Sequence, residues 1–200
     1  MKTQPLRVTL REATGNAIVD AAEQVAARDG LSGANLQAIA EQAGVAVGTI
    51  YNYFEDKPRL FDALFVRRRE ELFAAIDAAT KQHGRGPFAT QLNAFVCAVF
   101  AYFDARRHFL RIALEAERLH VVKGQDDKKG PAMQQLQERA ERIIRIGIRE
   151  KLLRDDGADL LATILVSIVR GVLVTRAEGD RAFGPEGERV ASIFLHGAAK

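Results

Sequence analysis

The chain has no tryptophan and only one cysteine, Cys97, among its 200 residues. A single cysteine excludes an intrachain disulfide and is consistent with a reducing compartment. The N-terminal region lacks the hydrophobic core of a signal peptide. The longest largely apolar run, residues 160–169, is too short to span a bilayer and is closed by Arg170. We therefore expect a soluble cytoplasmic protein with no membrane partner.

Prolines are also few, with five in the chain, and the apolar–polar alternation typical of strands is scarce. Apolar residues instead recur at helical spacing, which predicts an all-α fold of about nine helices. Two breaks are predicted, at residues 83–87 and in a polar loop at residues 121–131 that we expect to be mobile. The net charge of +3 favours nucleic acid only weakly, so the placement of polar groups matters more than their sum.

The sequence motifs of several enzyme classes are missing. GxSxG, HExxH, Walker A and CxxC patterns are all absent, so we predict no enzyme activity, no catalytic residue and no cofactor. Glu117 and His120 share a helix face and could join His108 in a metal site. A surface ion pair is the favoured alternative, because no further ligand stands at metal-binding spacing. We therefore predict no metal site.

One stretch, IAEQAGVAVGTIYNYFEDKPRLF at residues 39–61, has the pattern of a helix-turn-helix. A first amphipathic helix ends before Gly44, which supplies the left-handed backbone that a tight helix end prefers. A second short helix runs from Val47 to about Tyr53, and a further helix begins near Pro58, since proline is tolerated in a first helical turn. Two short helices around such a turn form the unit that places one helix in a DNA major groove.

The second of these helices has one face suited to DNA. If Ile50 faces the core, a rotation of about 100° per residue places Phe54 on the same side. The opposite face carries a glycine, a hydroxyl, a phenol and an amide, and no carboxylate that would repel DNA. An ordinary solvated helix is the alternative, but such a helix would carry more Lys and Glu. The outward residues are Gly48, Thr49, Tyr51 and Asn52.

A family resemblance accompanies this pattern. The residues that carry it are Gly30, Ile39-Ala40, Ala43-Gly44-Val45, Gly48-Thr49-Ile50-Tyr51, Tyr53-Phe54, Lys57 and Leu60. Over about residues 12–65 the combination resembles the N-terminal domain of the tetracycline-repressor (TetR) family. The resemblance implies a helix-turn-helix DNA-binding domain at residues 1–56 and a C-terminal helical effector-binding and dimerisation domain at residues 57–200. It also implies a homodimeric repressor that leaves a palindromic DNA operator when an unidentified small effector binds.

By position, the resemblance implies that Thr49 and Tyr51 contact phosphates or base edges, and that Tyr53 and Lys57 contact the DNA backbone. Together with the face analysis it gives eight candidate DNA-binding residues. They are Asn35, Val47, Gly48, Thr49, Tyr51, Asn52, Tyr53 and Lys57.

Three positions depart from the usual family pattern. Ala34 stands where the family commonly has a capping Thr, so we expect Asn35 to cap the helix instead. Ala46 replaces a frequent Ser at the start of the second helix of the helix-turn-helix, the helix expected to contact DNA bases. Val47 replaces a frequent basic residue, and it could contact a thymine methyl or pack inward.

The helix predicted at about residues 158–177 is apolar around most of its circumference. Such a helix is buried on two faces, here by its own core and by a second copy of the chain, with Gly171 allowing close approach. A central core helix in a monomer is the alternative. The predicted dimer-interface residues are Leu161, Ile164, Leu165, Ile168, Val172, Ile193 and Phe194.

Aromatic residues concentrate in the helices that follow residue 87, where a small apolar or aromatic effector could bind. Plain core packing is the alternative for each of them. A helical small-molecule carrier or protein-interaction module without DNA binding is the alternative function. The candidate effector-binding residues are Phe95, Val99, Tyr102, Phe103, Ile143 and Ser167.

Overall fold

The computed structural model describes residues 4–82, 86–122, 131–179 and 182–198, and in these ranges the regular secondary structure consists of nine α-helices. The all-α prediction is confirmed. Residues 83–85 and 123–130, which fall within the two predicted breaks, lie outside the described residues, as does the side chain of His120. The helices are α1 (Gln4–Gly33), α2 (Leu36–Ala43), α3 (Val47–Tyr51), α4 (Lys57–Gln82), α5 (Phe88–Ala105), α6 (Arg107–Val122), α7 (Pro131–Arg149), α8 (Ala158–Arg176) and α9 (Gly184–Ala198).

The chain divides into two compact units. The first comprises Met1–Arg68 and His108–Gly124, and the second comprises Arg69–Arg107 and Gln125–Lys200. The long helix α4 therefore supplies its first part to one unit and its second part to the other. The functional division between residues 56 and 57 expected from the sequence remains a prediction.

The core of the first unit is built from the apolar stripe of α1 and the inward residues of the helices that follow. Ile18, Ile39, Ile50 and Leu64 are fully buried, and Ile112 of α6 joins the same cluster. The burial of α3 against this cluster rests largely on one side chain, Ile50. That single anchor fixes which face of α3 is turned outward.

Helix α1 is longer than its apolar pattern predicts, since it begins at Gln4 and not near Leu10. Near its end, Gly30 has φ 75° and ψ 165°, which interrupts the helix before a last turn reaches Gly33. Such a positive φ is open to glycine at no steric cost. Gly30 is therefore a kink inside α1.

The second unit is held by α5, which packs against α7 and α9, and by α7 packing against α8. Gly147 permits the close approach at one of these contacts, because a Cβ there would lie 2.8 Å from Phe88 Cε1 and 2.9 Å from Leu153 Cδ1. Helix α7 ends at Arg149, and just beyond it the carbonyl of Gly147 accepts the N–H groups of Leu152 and Leu153, which turns the chain.

Two of the described helices, α5 and α8, are long and apolar enough to cross a membrane when judged by length and composition alone. The apolar run in the sequence is thus part of a longer helix that passes this test. Of the two apolar stretches, 44% and 39% are buried inside the protein, and core helices of soluble proteins pass the same test. The two helices are therefore weak grounds for a membrane location.

Candidate nucleic-acid interface

The turn between α2 and α3 is set by Gly44. Its backbone has φ 68° and ψ 33°, the left-handed conformation. Its N–H donates to the carbonyl of Glu41 at 3.2 Å, and the N–H of Val45 donates to the carbonyl of Ala40 at 3.0 Å. These bonds satisfy carbonyls that the end of α2 leaves unpaired. The predicted tight helix end is confirmed.

The start of α2 is capped by Asn35, as the sequence predicts. Its Oδ1 accepts the N–H of Ala38 at 2.9 Å. Ala34, at the position of the usual family threonine, is 1% exposed and belongs to the core. Asn35 is exposed, so its amide NH₂ remains available to solvent while Oδ1 holds the cap.

Helix α3 is short, ending at Tyr51 where the sequence predicted about Tyr53. Its N-cap, Ala46, makes no side-chain hydrogen bond. After Asn52 the chain turns, and the N–H groups of Tyr53 and Phe54 both donate to the carbonyl of Ile50 at 2.9 Å. One carbonyl thus ends the helix and directs the chain toward α4.

The outward face of α3 is open to solvent. Gly48 has no neighbouring atom within 4 Å of where a Cβ would stand. Tyr51 is 55% exposed and Asn52 is exposed, whereas Ile50 is fully buried. Thr49 is half-buried. The predicted orientation of the helix, with Ile50 inward, is confirmed.

Val47 and Tyr53 are engaged within the first unit. Val47 is half-buried and packs against the core, which favours the inward alternative left open by the sequence. Tyr53 is half-buried with its ring beside Gly15 of α1, where a Cβ would lie 3.4 Å from Tyr53 Cδ1. The guanidinium of Arg11 lies 5.7 Å from the centre of the same ring.

Lys57 has a structural contact that its sequence position does not reveal. Its Nζ donates to the carbonyl of Leu31 at 2.9 Å, and it lies 5.9 Å from the centre of the Phe61 ring. The N–H of Leu31 donates in turn to both carboxylate oxygens of Glu115, at 3.2 Å each. The residue just after the Gly30 kink is therefore held from two sides.

Glu115 is the contact that sequence reasoning missed. It lies on α6, 84 residues from Leu31, so no local spacing could have indicated it. Together with Lys57 it ties the end of α1 to α4 and α6 within the first unit.

Comparisons with known proteins agree with this geometry. Residues 18–64 match the family described as bacterial regulatory proteins, tetR family. The HTH-type transcriptional repressor BepR of Brucella suis is 29% identical over 95% of both chains. The chain belongs to the tetR family. The HTH-type transcriptional repressor KstR of Mycolicibacterium smegmatis is 37% identical over 34% of this chain and 33% of its own.

Solved structures of tetR-family regulators share the fold. A TetR transcription regulator from Haloarcula marismortui has a TM-score of 0.77 at 16% identity, covering 94% of this chain and 100% of its own. The ketosteroid transcriptional regulator KstR2 of Mycobacterium tuberculosis has a TM-score of 0.68 at 22% identity, covering 93% and 95%. With the family match and the open face of α3, the chain is a DNA-binding transcriptional regulator of the tetR family.

The second unit of this tetR-family protein contains a cavity of about 240 Å³. Two of the predicted effector-binding residues, Phe95 and Ile143, line it. Val99 and Tyr102 are buried elsewhere, and the Tyr102 ring carries the Arg106 guanidinium 4.6 Å from its centre. The roles of all the predicted effector residues remain predictions. The lining is Ile76, Asp77, Thr80, Lys81, Gln91, Phe95, Arg139, Arg142, Ile143 and Ile146.

Two other predicted effector residues lie outside that lining. Phe103 is half-buried, with its ring edge-on to Tyr102 at 5.4 Å between centres. Ser167 is exposed on α8. The sequence did not indicate that charged residues line the cavity. Their spacing on α7 was nevertheless visible, since Arg139 and Arg142 share one helix face with Ile146.

The predicted dimer residues divide between two faces of the second unit. Leu161, Leu165 and Phe194 are buried in the protomer's own core, and Ile168 and Val172 are half-buried. Ile164 is 41% exposed and Ile193 is 66% exposed. A partner would therefore meet the exposed residues of α8 and α9, not the buried ones.

Five of the exposed residues of α8 form a regular line. They alternate four and three residues apart, the spacing of a seam between two packed helices. Leu160 and Val174 at its ends are 50% and 42% exposed, and a Cβ on Gly171 would meet nothing within 4 Å. We call this line the α8 seam; it consists of Leu160, Ile164, Ser167, Gly171 and Val174.

Proposed function

We propose that this regulator is a homodimeric repressor. Two copies of α3 bind a palindromic operator, and a small molecule bound in the second unit releases it. The observation that carries the proposal is the open face of α3, with Gly48 unobstructed and Ile50 buried behind it. A reading helix needs one rigid inward anchor and one unobstructed outward face.

On this face each side chain has a distinct role. Gly48 allows the helix backbone to come close to the DNA, and Asn52 offers an amide that can bond a base edge. The phenol of Tyr51 and the hydroxyl of Thr49 donate to phosphate oxygens, which position the helix without reading sequence. The NH₂ group of Asn35 adds a phosphate contact at the start of α2.

Lys57 combines two roles. One of its three ammonium protons is used on the Leu31 carbonyl, which leaves two for a phosphate. Tyr53 supports α3 from behind through its contact with α1 and presents its hydroxyl to the DNA backbone.

The α8 seam supplies the partner surface, and its occupant is a second copy of the chain. Exposed apolar residues in a line are costly on a monomer, and helical seams of this spacing bury their residues by pairing. Pairing about a two-fold axis gives two reading helices for two half-sites, about 34–36 Å apart or at another spacing set by the dimer.

Release follows from helix α4, whose second half lines the cavity and whose first half belongs to the DNA-binding unit. A ligand that shifts the cavity wall can therefore act on the start of α4, which Lys57 ties to Leu31. Such a regulator acts in the cytoplasm and needs no membrane partner.

The test is a mobility-shift titration against promoter fragments, including the DNA upstream of the protein's own gene. We expect sequence-selective binding whose log affinity falls with log salt by about 0.9 per neutralised phosphate. Equal binding to a scrambled duplex would refute an operator. Binding of small molecules without any binding of DNA would instead establish the carrier function.

A further inference from the structure

The cavity in the second unit has two chemically different sides. One side is apolar, formed by side chains that are almost completely buried, with Ile76 and Phe95 each 1% exposed and Ile143 6% exposed. The other side carries charge from α4 and α7. The recess is therefore apolar at its base and charged at its solvent-exposed rim.

The charges on this rim do not cancel. Lys81, Arg139 and Arg142 contribute three positive charges and Asp77 one negative charge. Two positive charges therefore remain at the cavity mouth.

The single carboxylate is already occupied. Both oxygens of Asp77 accept hydrogen bonds from Arg139, from Nε and Nη2 at 2.9 Å each. The Arg139 guanidinium also lies 4.1 Å from the centre of the Phe73 ring, a cation–π contact that holds it in place. Asp77 therefore neutralises Arg139, and each of its oxygens already accepts a hydrogen bond from that guanidinium.

Lys81 and Arg142 have no such partner. Neither forms an ion pair with a carboxylate in the part of the chain that the structure describes. Arg142 nevertheless acts on the cavity electrostatically, since it contributes, after Arg139, to lowering the pKa of Asp77 below its ordinary value. Two exposed cations, outside any ion pair among the described residues, thus border an apolar recess whose one carboxylate, Asp77, is paired with Arg139.

We propose that this cavity binds a small amphiphilic carboxylate, with its carboxylate at Lys81 and Arg142 and its apolar body against Phe95, Ile143 and Ile76. A guanidinium fits a carboxylate with two parallel hydrogen bonds, and the ammonium adds a second positive contact. The volume of about 240 Å³ lies just below the roughly 300–1,000 Å³ of typical drug-sized sites. The ligand is therefore small.

Other ligand classes fit this site less well. A cation would face the excess positive charge, and a neutral apolar molecule would cover the two cations without replacing their water. The proposal thus narrows the effector expected from the sequence, an apolar or aromatic molecule, to one with an anionic end. Its role as an effector rests on the proposed function, but the binding itself does not.

The experiment uses the full chain and three probes that differ only in their polar end: 4-phenylbutyrate, 4-phenylbutanol and 4-phenylbutylamine. Calorimetry measures the binding of each. We expect the carboxylate to bind at least about tenfold more tightly than the alcohol, equivalent to one charge-assisted hydrogen bond, and the amine not to bind. Equal affinities for acid and alcohol, tighter binding of the amine, or no binding of any probe would each overturn the proposal.

Two variants test the placement of the carboxylate. Arg142→Gln and Lys81→Gln alter exposed residues and should each weaken 4-phenylbutyrate about five- to tenfold, leaving the alcohol unchanged. Arg149→Gln is the matched control, because Arg149 is an exposed arginine of the same helix outside the cavity lining. Carboxylate affinity that is unchanged in both variants, or reduced equally in the control, would refute the assignment.

Operator binding is measured separately, with and without 4-phenylbutyrate. Loss of the DNA complex on addition of the acid, but not of the alcohol, supports both the site and its effector role. Tight, Arg142-dependent binding of the acid with the DNA complex intact supports the site and refutes the release step of the proposed function. If the protein without any added ligand does not bind DNA, the regulator function is refuted, but the carboxylate site is not.

Discussion

Lys57 donates a hydrogen bond from Nζ to the backbone carbonyl of Leu31 across 2.9 Å. The same residue, Leu31, gives its N–H to the carboxylate of Glu115. A lysine at the start of α4 and a glutamate of α6 thus hold one residue in the last turn of α1. A position that the family resemblance assigns to phosphate contact is therefore also part of the internal framework.

This dual role predicts a combined effect for Lys57→Met, which keeps the apolar stem and removes the donor. The partly buried carbonyl of Leu31 loses its partner, so we expect a loss of about 1 kcal/mol of stability together with weaker binding to all DNA. Thermal unfolding and mobility shifts measure the two effects. Arg59→Met is the control, because Arg59 is exposed and, among the described residues, its ion pair is with Asp62 at 3.7 Å, a contact worth little. Unchanged stability in Lys57→Met would show that the Leu31 contact is dispensable.

Tyr51→Phe tests the DNA surface without disturbing the core. Tyr51 is 55% exposed, so the loss of its hydroxyl should leave the unfolding midpoint unchanged. We expect about fivefold weaker binding to operator and non-operator DNA alike, because a phosphate contact carries no sequence information. A loss confined to the operator would reassign the hydroxyl to a base edge.

Gly48→Ala separates stability from function in one substitution. The added methyl meets nothing within 4 Å inside the protein, and alanine favours a helix over glycine by up to about 1 kcal/mol. We therefore expect a protein of equal or greater stability that binds DNA more weakly, because the methyl occupies the approach surface. Gly197→Ala, equally unobstructed, should leave DNA binding intact. Undiminished affinity in Gly48→Ala would mean that the helix does not approach DNA at this residue.

The helix-turn-helix could be predicted because its signals are local. Gly44 marks the end of α2, Asn35 its start, and Ile50 the inward face of α3, all within a few residues of the bonds they make. The hydrogen bond from the Leu31 N–H to Glu115 could not be predicted, since Glu115 is distant in sequence and belongs to no motif.

The second unit was less predictable for a related reason. Helix α8 is apolar on nearly all sides, so its periodicity cannot tell Leu161, which is buried, from Leu160, which is half exposed. Only the packing of α7 against α8 decides that question. Similarly, Asp77 of α4 pairs with Arg139 of α7, which lies 62 residues further along the chain, so no local pattern indicates the pair.

The α8 seam predicts the effect of charge on assembly. Ile164→Glu and Ile193→Glu place a carboxylate on residues exposed in the protomer, so each variant should fold. We expect both to be monomeric by light scattering and to lose operator binding, since a charge buried in an interface is costly. Ile168→Glu, at a half-buried position, should act in the same direction. Leu152→Glu, at a residue 49% exposed outside α8 and α9, is the control; dimers that persist in Ile164→Glu and Ile193→Glu would place the interface elsewhere.

Asp104 predicts a pH dependence of the second unit. Its Oδ2 accepts the N–H groups of Phe183 and Gly184 at the start of α9, at 3.0 and 3.1 Å, and its Oδ1 accepts from Arg107 at 2.7 Å. Burial works to raise the pKa of Asp104, but the backbone bonds and Arg107 outweigh it and hold the pKa below the ordinary 3.8. A lowered pKa means that the carboxylate stabilises the fold at neutral pH. That contribution is lost as the pH falls through the folded-state pKa.

Asp104→Asn keeps the shape and an accepting oxygen but removes the charge. We expect the variant to be less stable than the wild type at neutral pH, by roughly 1–2 kcal/mol for a weakened charge-assisted cap. The difference should begin to shrink as the pH falls below the ordinary aspartate pKa of about 3.9, and it should continue to shrink as the pH passes through the lower folded-state pKa of Asp104. Thermal unfolding of both proteins across this range measures it. A difference that stays constant with pH would mean that the cap at α9 depends on shape alone, and that the charge of Asp104 does not contribute to it.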